Sequence, residues 1–494
     1  MFRKKIELTQ LKSILYPEDI QVKPGCAFGI DNRLYRSLIK LFEAFWIYGK
    51  KELYLVGGCV RDMLLGKKPK DYDLCTNATP DEVKEIISTI NLKSFDSGIK
   101  HGTLTIIDDF YQMNYEITTY RIDGKYTDGR HPDEVVFTPS LEEDLKRRDF
   151  TINSFAYDLL RCEVLALDES YFDDLKYGII RTVGDPIDRF NEDALRMLRA
   201  LRFAAQLKFF IEASTYEAIK RLAPNMEKIS KERIRDELTK ILLSDNIEIL
   251  EQFVDTDMER YCFDGSTPIG NMLHCQHNCN WHYTDVLHHT MLVVNRVPKT
   301  FILRWAALLH DVGKPTGRHE KFPGSGRYDY HGHPDVSVQI AEPFMDMLKF
   351  SNDQKDLILK FVKHHDLDLS MARNGTFKKF LAEIGPENFN DFMKLQVADA
   401  YAHTIKDSIK WNSSKITKTY ARFTKVINEK QPLTVADLAI NGYDLMNLGL
   451  QGKQVGDCLA YLTEEVLEDA SKNDKQRLLA IARDWRDSHE TTRR

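Results

Sequence analysis

The chain predicts an α+β protein, a small mixed-sheet head followed by an all-helical remainder, and three observations predict it. Leu53 to Leu74 reads as strand, glycine pair, short helix, basic turn and second strand. Two further β-rich segments follow, Gly102 to Ile107 and Asn114 to Tyr120. Later segments carry apolar residues at helical spacing, as in Leu195, Leu198 and Leu201. At 494 residues the chain should hold three or four domains. The expected division is an extension over 1–30, a head over 31–165 and a neck over 166–240. A linker or body over 241–270, a histidine-rich domain over 271–400 and a helical tail over 401–494 complete it.

Composition narrows the class. No apolar run reaches the roughly 18–20 residues that cross a bilayer, so no membrane partner is expected. The start, MFRKKIELTQLKSILY, is basic but has no apolar core and no small-residue cleavage site. Eight cysteines lie without framework spacing, as free thiols of a reducing compartment do. A cytoplasmic protein is the expectation. His274, Cys275, His277, Cys279 and His282 cluster, but no second C-x-x-C pair follows, and they read as free thiols and polar histidines. Net charge is −6, so any nucleic-acid surface must gather its positive residues locally.

Within the head, Gly57 and Gly58 let the backbone approach a ligand closely, and a helix starting after them offers free N–H groups to phosphate. Asp71 and Asp73 stand two apart on the expected second strand and so share a face. Paired carboxylates suit a hard divalent cation such as Mg²⁺, and with a phosphate cradle they make the apparatus of two-metal nucleotidyl transfer. Glu116 is the candidate third carboxylate. Arg33 to Tyr48 reads as an amphipathic helix, Thr79-Pro80 opens another, and Ser140 with Glu143 is expected to form a capping box. Tyr120 to Val135 is polar and turn-rich, a mobile loop by composition.

LVGGCVRDMLLGKKPKDYDL, Leu55 to Leu74, resembles the head of the class II tRNA nucleotidyltransferases, the CCA-adding enzymes, and of their poly(A) polymerase relatives. The resemblance implies a polymerase-β-like head in which Asp71 and Asp73 hold Mg²⁺ and Gly57, Gly58 and Arg61 belong to the nucleotide site. KRRDFTINSFAYD, Lys146 to Asp158, looks like a second motif of the family; Arg148, Asp149 and Asn153 would hold the triphosphate and ribose. Asp185 to Leu207 reads as one strong helix with Arg196, Arg199 and Arg202 along a second face. Its EDALR resembles the family motif that selects the nucleotide. Aspartate only accepts and arginine only donates. Asp193 and Arg196 together would therefore complement cytosine and adenine and mismatch uracil and guanine, with Glu192 orienting Arg196. Ile229 to Leu242 resembles the helix that follows the neck.

WHYTDVLHHT, RWAALLHDVGKP, HGHPD, VKHHD and VADAYAHT occur in that order between Trp281 and Thr404. This series resembles the HD phosphohydrolase superfamily. His289, His310, Asp311 and Asp399 match its metal ligands, His333 and His364 match extra histidines, and His288 is a rival to His289. A transition metal is the implied ion and 2′,3′-cyclic phosphodiesters the implied substrates. Lys406 to Lys430 is helical and basic, with Trp411, Tyr420 and Phe423 interleaved, a composition suited to an RNA backbone. The expected function is template-independent addition of CCA to tRNA from CTP and ATP, with a fused HD domain. A poly(A) polymerase, a partial CC- or A-adding enzyme, and an RNA-binding HD phosphohydrolase with a vestigial head are the alternatives. The intact loop at Ile122 to Pro132 favours full CCA addition. Oligomeric state is left open by the sequence.

Overall fold

The computed structural model describes residues 6–7, 32–99, 102–124, 135–276, 284–320, 322, 328–403 and 406–491. The chain separates into two compact units, Met1–Ser266 and Thr267–Arg494. The expected α+β class is found, a mixed sheet near the start and helices thereafter.

The sheet has eight strands: β1 (Ile6–Glu7), β2 (Leu53–Val56), β3 (Asp73–Thr76), β4 (Lys93–Gly98), β5 (Thr103–Asp108), β6 (Met113–Thr119), and two later ones. A small separate pair intervenes, β7 (Arg121–Asp123) and β8 (Val135–Phe137). The last two strands of the main sheet are β9 (Phe155–Asp158) and β10 (Glu163–Ala166). The order is β1-β10-β9-β2-β3-β6-β5-β4. β3 and β6 run parallel, and the other neighbours are antiparallel. Parallel neighbours need a crossover, and the helix Pro80–Thr89 with the β4–β5 hairpin supplies it. Helix α1 spans Asn32–Ala44, α2 Gly58–Leu64 and α3 Pro80–Thr89. Thr79 and Glu82 close a capping box around Pro80 at the start of α3. β2 is buried along its whole length, so the strand that delivers Gly57 cannot shift without disturbing the core.

Three expectations about local structure are corrected. Asp71 lies in the bend before β3 rather than on it. Ser140 precedes α4 (Leu141–Lys146) without capping it; its N–H donates to Thr138 Oγ1 at 3.2 Å, and the Glu143 carboxylate pairs with Lys146 at 2.9 Å. The single helix expected over 185–207 is two, α5 (Pro186–Glu192) and α6 (Leu195–Leu207). Asp193 between them is extended, φ −141° and ψ 105°. Its Oδ1 accepts the Leu195 N–H at 3.0 Å, the side-chain competition with the helix ladder that aspartate is prone to.

Buried polar contacts tie the head to the neck. Arg61 Nη1 donates to Asn153 Oδ1 at 2.8 Å, and Asn153 Nδ2 donates to Asp149 Oδ1 at 3.1 Å. Arg199 on α6 closes the chain on Asp149 Oδ2, Nη2 at 2.5 Å and Nε at 2.9 Å. The guanidinium groups of Arg61, Arg199 and Arg202 all lie over the Phe203 ring, at 5.2, 5.4 and 4.1 Å from its centroid. Helix α7 (Lys231–Leu242) packs alongside and answers α6 with charges of both signs. Arg233 Nη2 is 3.0 Å from Asp193 Oδ2, and Glu237 Oε2 is 3.0 Å from Arg202 Nε.

In the second unit, α8 (Val286–Arg296), α9 (Phe301–Leu309), α10 (His333–Met347), α11 (Asn352–His364) and α12 (Phe389–Ala402) enclose a core around Trp305. The Trp305 ring meets Phe301, Phe344 and Phe350. Gly313 is required where the chain leaves α9: a Cβ there would sit 2.4 Å from Ser337 N and 2.7 Å from His333 O. That close approach brings the end of α9 against the start of α10. Helix α13 (Lys406–Asn428) was expected to offer its aromatics to RNA. Phe423 stacks on Phe389 at 3.9 Å and Tyr420 meets the same ring edge-on at 5.6 Å, and both rings are half-buried. Two further helices, Lys453–Glu468 and Lys475–Thr491, pack on a separate apolar cluster that includes Leu445, Leu462 and Leu478. No described helix is long and apolar enough to cross a membrane. Most of the polar loop before Val135, the side chain of Trp411, and His277, Cys279 and His282 lie outside the described residues.

The Asp149–Arg199 pair sets a testable property of the fold. Burial alone pushes the Asp149 carboxyl up, but the Arg199 guanidinium and the Asn153 amide hold it well below the usual carboxylate range. A carboxylate depressed in the folded state adds stability above its unfolded pKa of about 3.9 and loses it as pH falls through the folded value. Asp149→Asn should therefore lower unfolding free energy by about 1–3 kcal/mol, part of the Arg199 charge remaining solvated. Chemical denaturation across pH should show that gap level between about pH 5 and 8 and narrowing below about 4. A gap that persists undiminished in acid would show the pair is not its source.

Candidate functional sites

In the head, β2 leads into Gly57, whose φ of +73° is a conformation that side chains rarely take. A Cβ at Gly57 would stand 3.2 Å from Arg148 Nη1 and 3.9 Å from Asp73 Oδ2. The glycine therefore leaves a gap flanked by a cation and a carboxylate. Asp73 opens β3 and pairs in parallel register with Glu116 on β6, so the two side chains project together from one face. Asp71 is close enough to act on the same carboxyl. Partial desolvation, then Glu116 and Asp71, push the Asp73 pKa up, against the pull of Arg148. A carboxyl raised by neighbouring carboxylates in this way gains from a divalent cation beside it. Their all-oxygen donor set fits a hard ion, and Asp71, Asp73 and Glu116 are the residues that would hold it.

Arg148 is positioned from behind. Asp144, fully buried, takes Arg148 Nη2 at 3.1 Å and Arg147 Nη2 at 2.5 Å. The sequence reading missed Asp144, although its spacing of three and four residues before the arginines is the signal for such a fork. Of the other expected nucleotide residues, Arg61, Asn153, Asp149 and Arg199 form the single hydrogen-bonded chain described above, and Arg202 is turned to Glu237. Asp193 and Arg196 do not form the helical ion pair that an unbroken helix would impose. Arg196 pairs with Glu192 and donates to the main-chain oxygens of Arg189 and Arg147, each at 3.1 Å. Asp193 is held by Arg233, also missed, although Arg233 and Glu237 stand one turn apart on one face of α7. Each member of the expected base-reading pair is thus fixed by its own partner.

In the second unit, five histidines and two aspartates converge. His289 Nε2 lies 2.9 Å from Asp399 Oδ1 and 3.6 Å from Asp311 Oδ2. His310 Nε2 is 3.2 Å from Asp311 Oδ2, and His333 and His365 reach Asp311 Oδ1 at 3.2 and 3.6 Å. Three rings have their tautomer fixed. Nδ1 of His310, His333 and His365 donates to the carbonyls of Ala307, Tyr330 and Val362 at 2.7, 2.9 and 2.7 Å. In the neutral ring each Nε2 then carries the lone pair, and the Nε2 atoms of His333 and His365 lie 3.0 Å apart. Facing lone pairs call for a cation or a proton between them. Burial pushes His289 down to about 4, which keeps it neutral and able to ligate. Asp311, which burial would push up, is held well below the usual range by His310 and Lys314, whose Nζ is 2.6 Å away.

The expected His364 is corrected to His365. His364 instead turns to Glu383, 3.0 Å away. The signal was present in α11: His365 continues the buried stripe of Ile358, Phe361 and Val362. His288 is also excluded from the cluster, its Nδ1 being 2.7 Å from Asp285 Oδ1. Among the described residues, three groups have their donor atoms within 4.8 Å of one another: His289, His310 and Asp311; Asp311, His333 and His365; and His289, Asp399 and His403. Lys314 and His403 were not anticipated.

Comparison with known proteins assigns three segments. Residues 53–181 match the poly A polymerase head domain and 208–266 the probable RNA and SrmB-binding site of polymerase A. Residues 282–407 match the HD domain. The CCA-adding enzyme of Ligilactobacillus salivarius is 48% identical over 212 residues, 43% of this chain and 50% of that protein. The CCA-adding enzyme of Leuconostoc mesenteroides is 53% identical over 194 residues, 39% of this chain and 46% of that protein. The chain thus spans about half the length of the curated relatives it matches. A solved Bacillus stearothermophilus CCA-adding enzyme in complex with CTP is 25% identical and superimposes with a TM-score of 0.69. That match covers 94% of this chain and 100% of the other. The chain matches a poly A polymerase head domain, the probable RNA-binding site model behind it and an HD domain, and in sequence and fold it resembles the CCA-adding enzymes.

Proposed function

We propose that this chain adds CCA to the 3′ end of tRNA from CTP and ATP, without a nucleic-acid template. The observation that carries the reading is the pairing of Asp73 with Glu116 beside Gly57 and Arg148. Bound Mg²⁺ would lower the pKa of the tRNA 3′-hydroxyl and neutralise charge at the α-phosphate and the departing pyrophosphate. Asp71, Asp73 and Glu116 supply the negative field that holds it. Arg148, propped by Asp144, offers its remaining donors to the triphosphate, and the open backbone at Gly57 and Gly58 admits it. Asp149 and Asn153, fixed by Arg199 and Arg61, orient the ribose. Asp193 and Arg196 read the base. For the second unit, the histidine and aspartate cluster supports a metal-dependent phosphohydrolase acting on phosphate esters, with a transition ion held by His289, His310, Asp311 and Asp399.

Asp71→Asn and Asp73→Asn should each reduce nucleotide incorporation by on the order of a thousandfold, ~4 kcal/mol of barrier. Binding of tRNA, measured by filter retention or anisotropy, should stay near wild type. Retained incorporation in both variants would remove the metal assignment.

Asp193→Ala and Arg196→Ala should lose selectivity as well as rate. Uracil and guanine present a ring N–H to Arg196 and a carbonyl to Asp193, leaving buried polar groups unpaired at about 1–3 kcal/mol each. Without either side chain that penalty disappears. Incorporation of all four labelled nucleotides, one at a time, would show the preference for CTP and ATP falling roughly tenfold or more. Unchanged selectivity would leave the pair a structural clasp of the neck.

A further inference from the structure

His403 lies at the C-terminal end of α12, one helical turn beyond Asp399. Its ring stacks on His289, centroids 5.4 Å apart and 22° between planes. Its Nε2 is 3.8 Å from Asp399 Oδ1, while His289 Nε2 is 2.9 Å from the same oxygen. Two donors each bound at ~2.1 Å to one ion stand at most about 4.2 Å apart, so both separations suit shared ligation. His289 is fully buried, whereas the His403 side chain is 21% exposed and borders solvent. The H-HD-D pattern does not account for His403, and neither do the contacts of His333 and His365, which serve the opposite oxygen of Asp311.

We propose that His403 is a further protein ligand of the HD centre, approaching the ion from the solvent side of Asp399. The inference rests on the reading of the second unit as an HD metal centre. An added imidazole changes what the centre prefers. Oxygen-rich sets suit Mg²⁺ and Mn²⁺, whereas imidazole suits late first-row ions such as Co²⁺, Ni²⁺ and Zn²⁺. With His403 added to His289 beside Asp399, the site gains a nitrogen donor, and its selectivity shifts toward those ions. An aspartate and a histidine four residues apart at a helix end are set to chelate, and VADAYAHT carries that spacing at Asp399 and His403.

The probe is Co²⁺, whose visible absorption reports coordination number and ligand type. The full chain, stripped of metal, is titrated with Co²⁺ beside two variants. His403→Phe keeps a ring to stack on His289 but removes the donor; His403→Asp keeps a donor. Folding of each is checked by circular dichroism and thermal melting. Wild type should bind with d–d bands that change in intensity and position in His403→Phe. That variant should bind at least about tenfold more weakly, since even outer partners of a ligand cost that much. His403→Asp should recover part of the affinity. The same affinity and spectrum in His403→Phe as in wild type would overturn the inference while leaving the HD centre standing. Wild type that binds no Co²⁺ would overturn the HD reading and this inference together.

Discussion

Everything in the first unit depends on one constraint: Asp73 and Glu116 must project from neighbouring strands at the same level. Parallel pairing of β3 and β6 imposes that level. The crossover through α3 and the β4–β5 hairpin makes the parallel pairing feasible, and the buried β2 strand fixes the glycine gap opposite. Desolvation and mutual repulsion then raise Asp73, and the site gains from a cation. The arginines need the reverse treatment. Arg148 and Arg199 would be costly to hold in place without partners, so Asp144 and Asp149 are buried beside them.

The second unit solves a related problem with a different donor set. Backbone carbonyls take Nδ1 of three histidines and leave Nε2 bare, while a glycine without room for a Cβ brings two helices together around Asp311. A neutral His289 and the depressed Asp311 and Asp399 carboxylates are in the protonation states that ligation requires. The first unit offers oxygen alone and the second mostly nitrogen, so the two centres favour different ions by chemistry.

Much of this was legible in the sequence, for physical reasons. The strand–glycine–helix–strand order at Leu53 to Leu74 is a local pattern, and local patterns survive folding. Glu116 was readable only as a candidate, because parallel register is a long-range fact that spacing does not encode. The helix break at Asp193 was hidden by strong helical periodicity on both sides; one side chain capping Leu195 outweighed it. His365 was misread as His364 although the stripe of α11 favoured it, since adjacent histidines look alike until the helix phase is followed to its end.

The central claim is that one head, with one base-reading pair, builds a defined trinucleotide on tRNA. The most direct measurement is the 3′-end sequence of the product when the full chain is incubated with tRNA lacking its terminal CCA, CTP and ATP together, and Mg²⁺. The account predicts a single product class ending in CCA, with growth stopping there. A run of adenylates, a product ending at CC, or an unextended tRNA would contradict it.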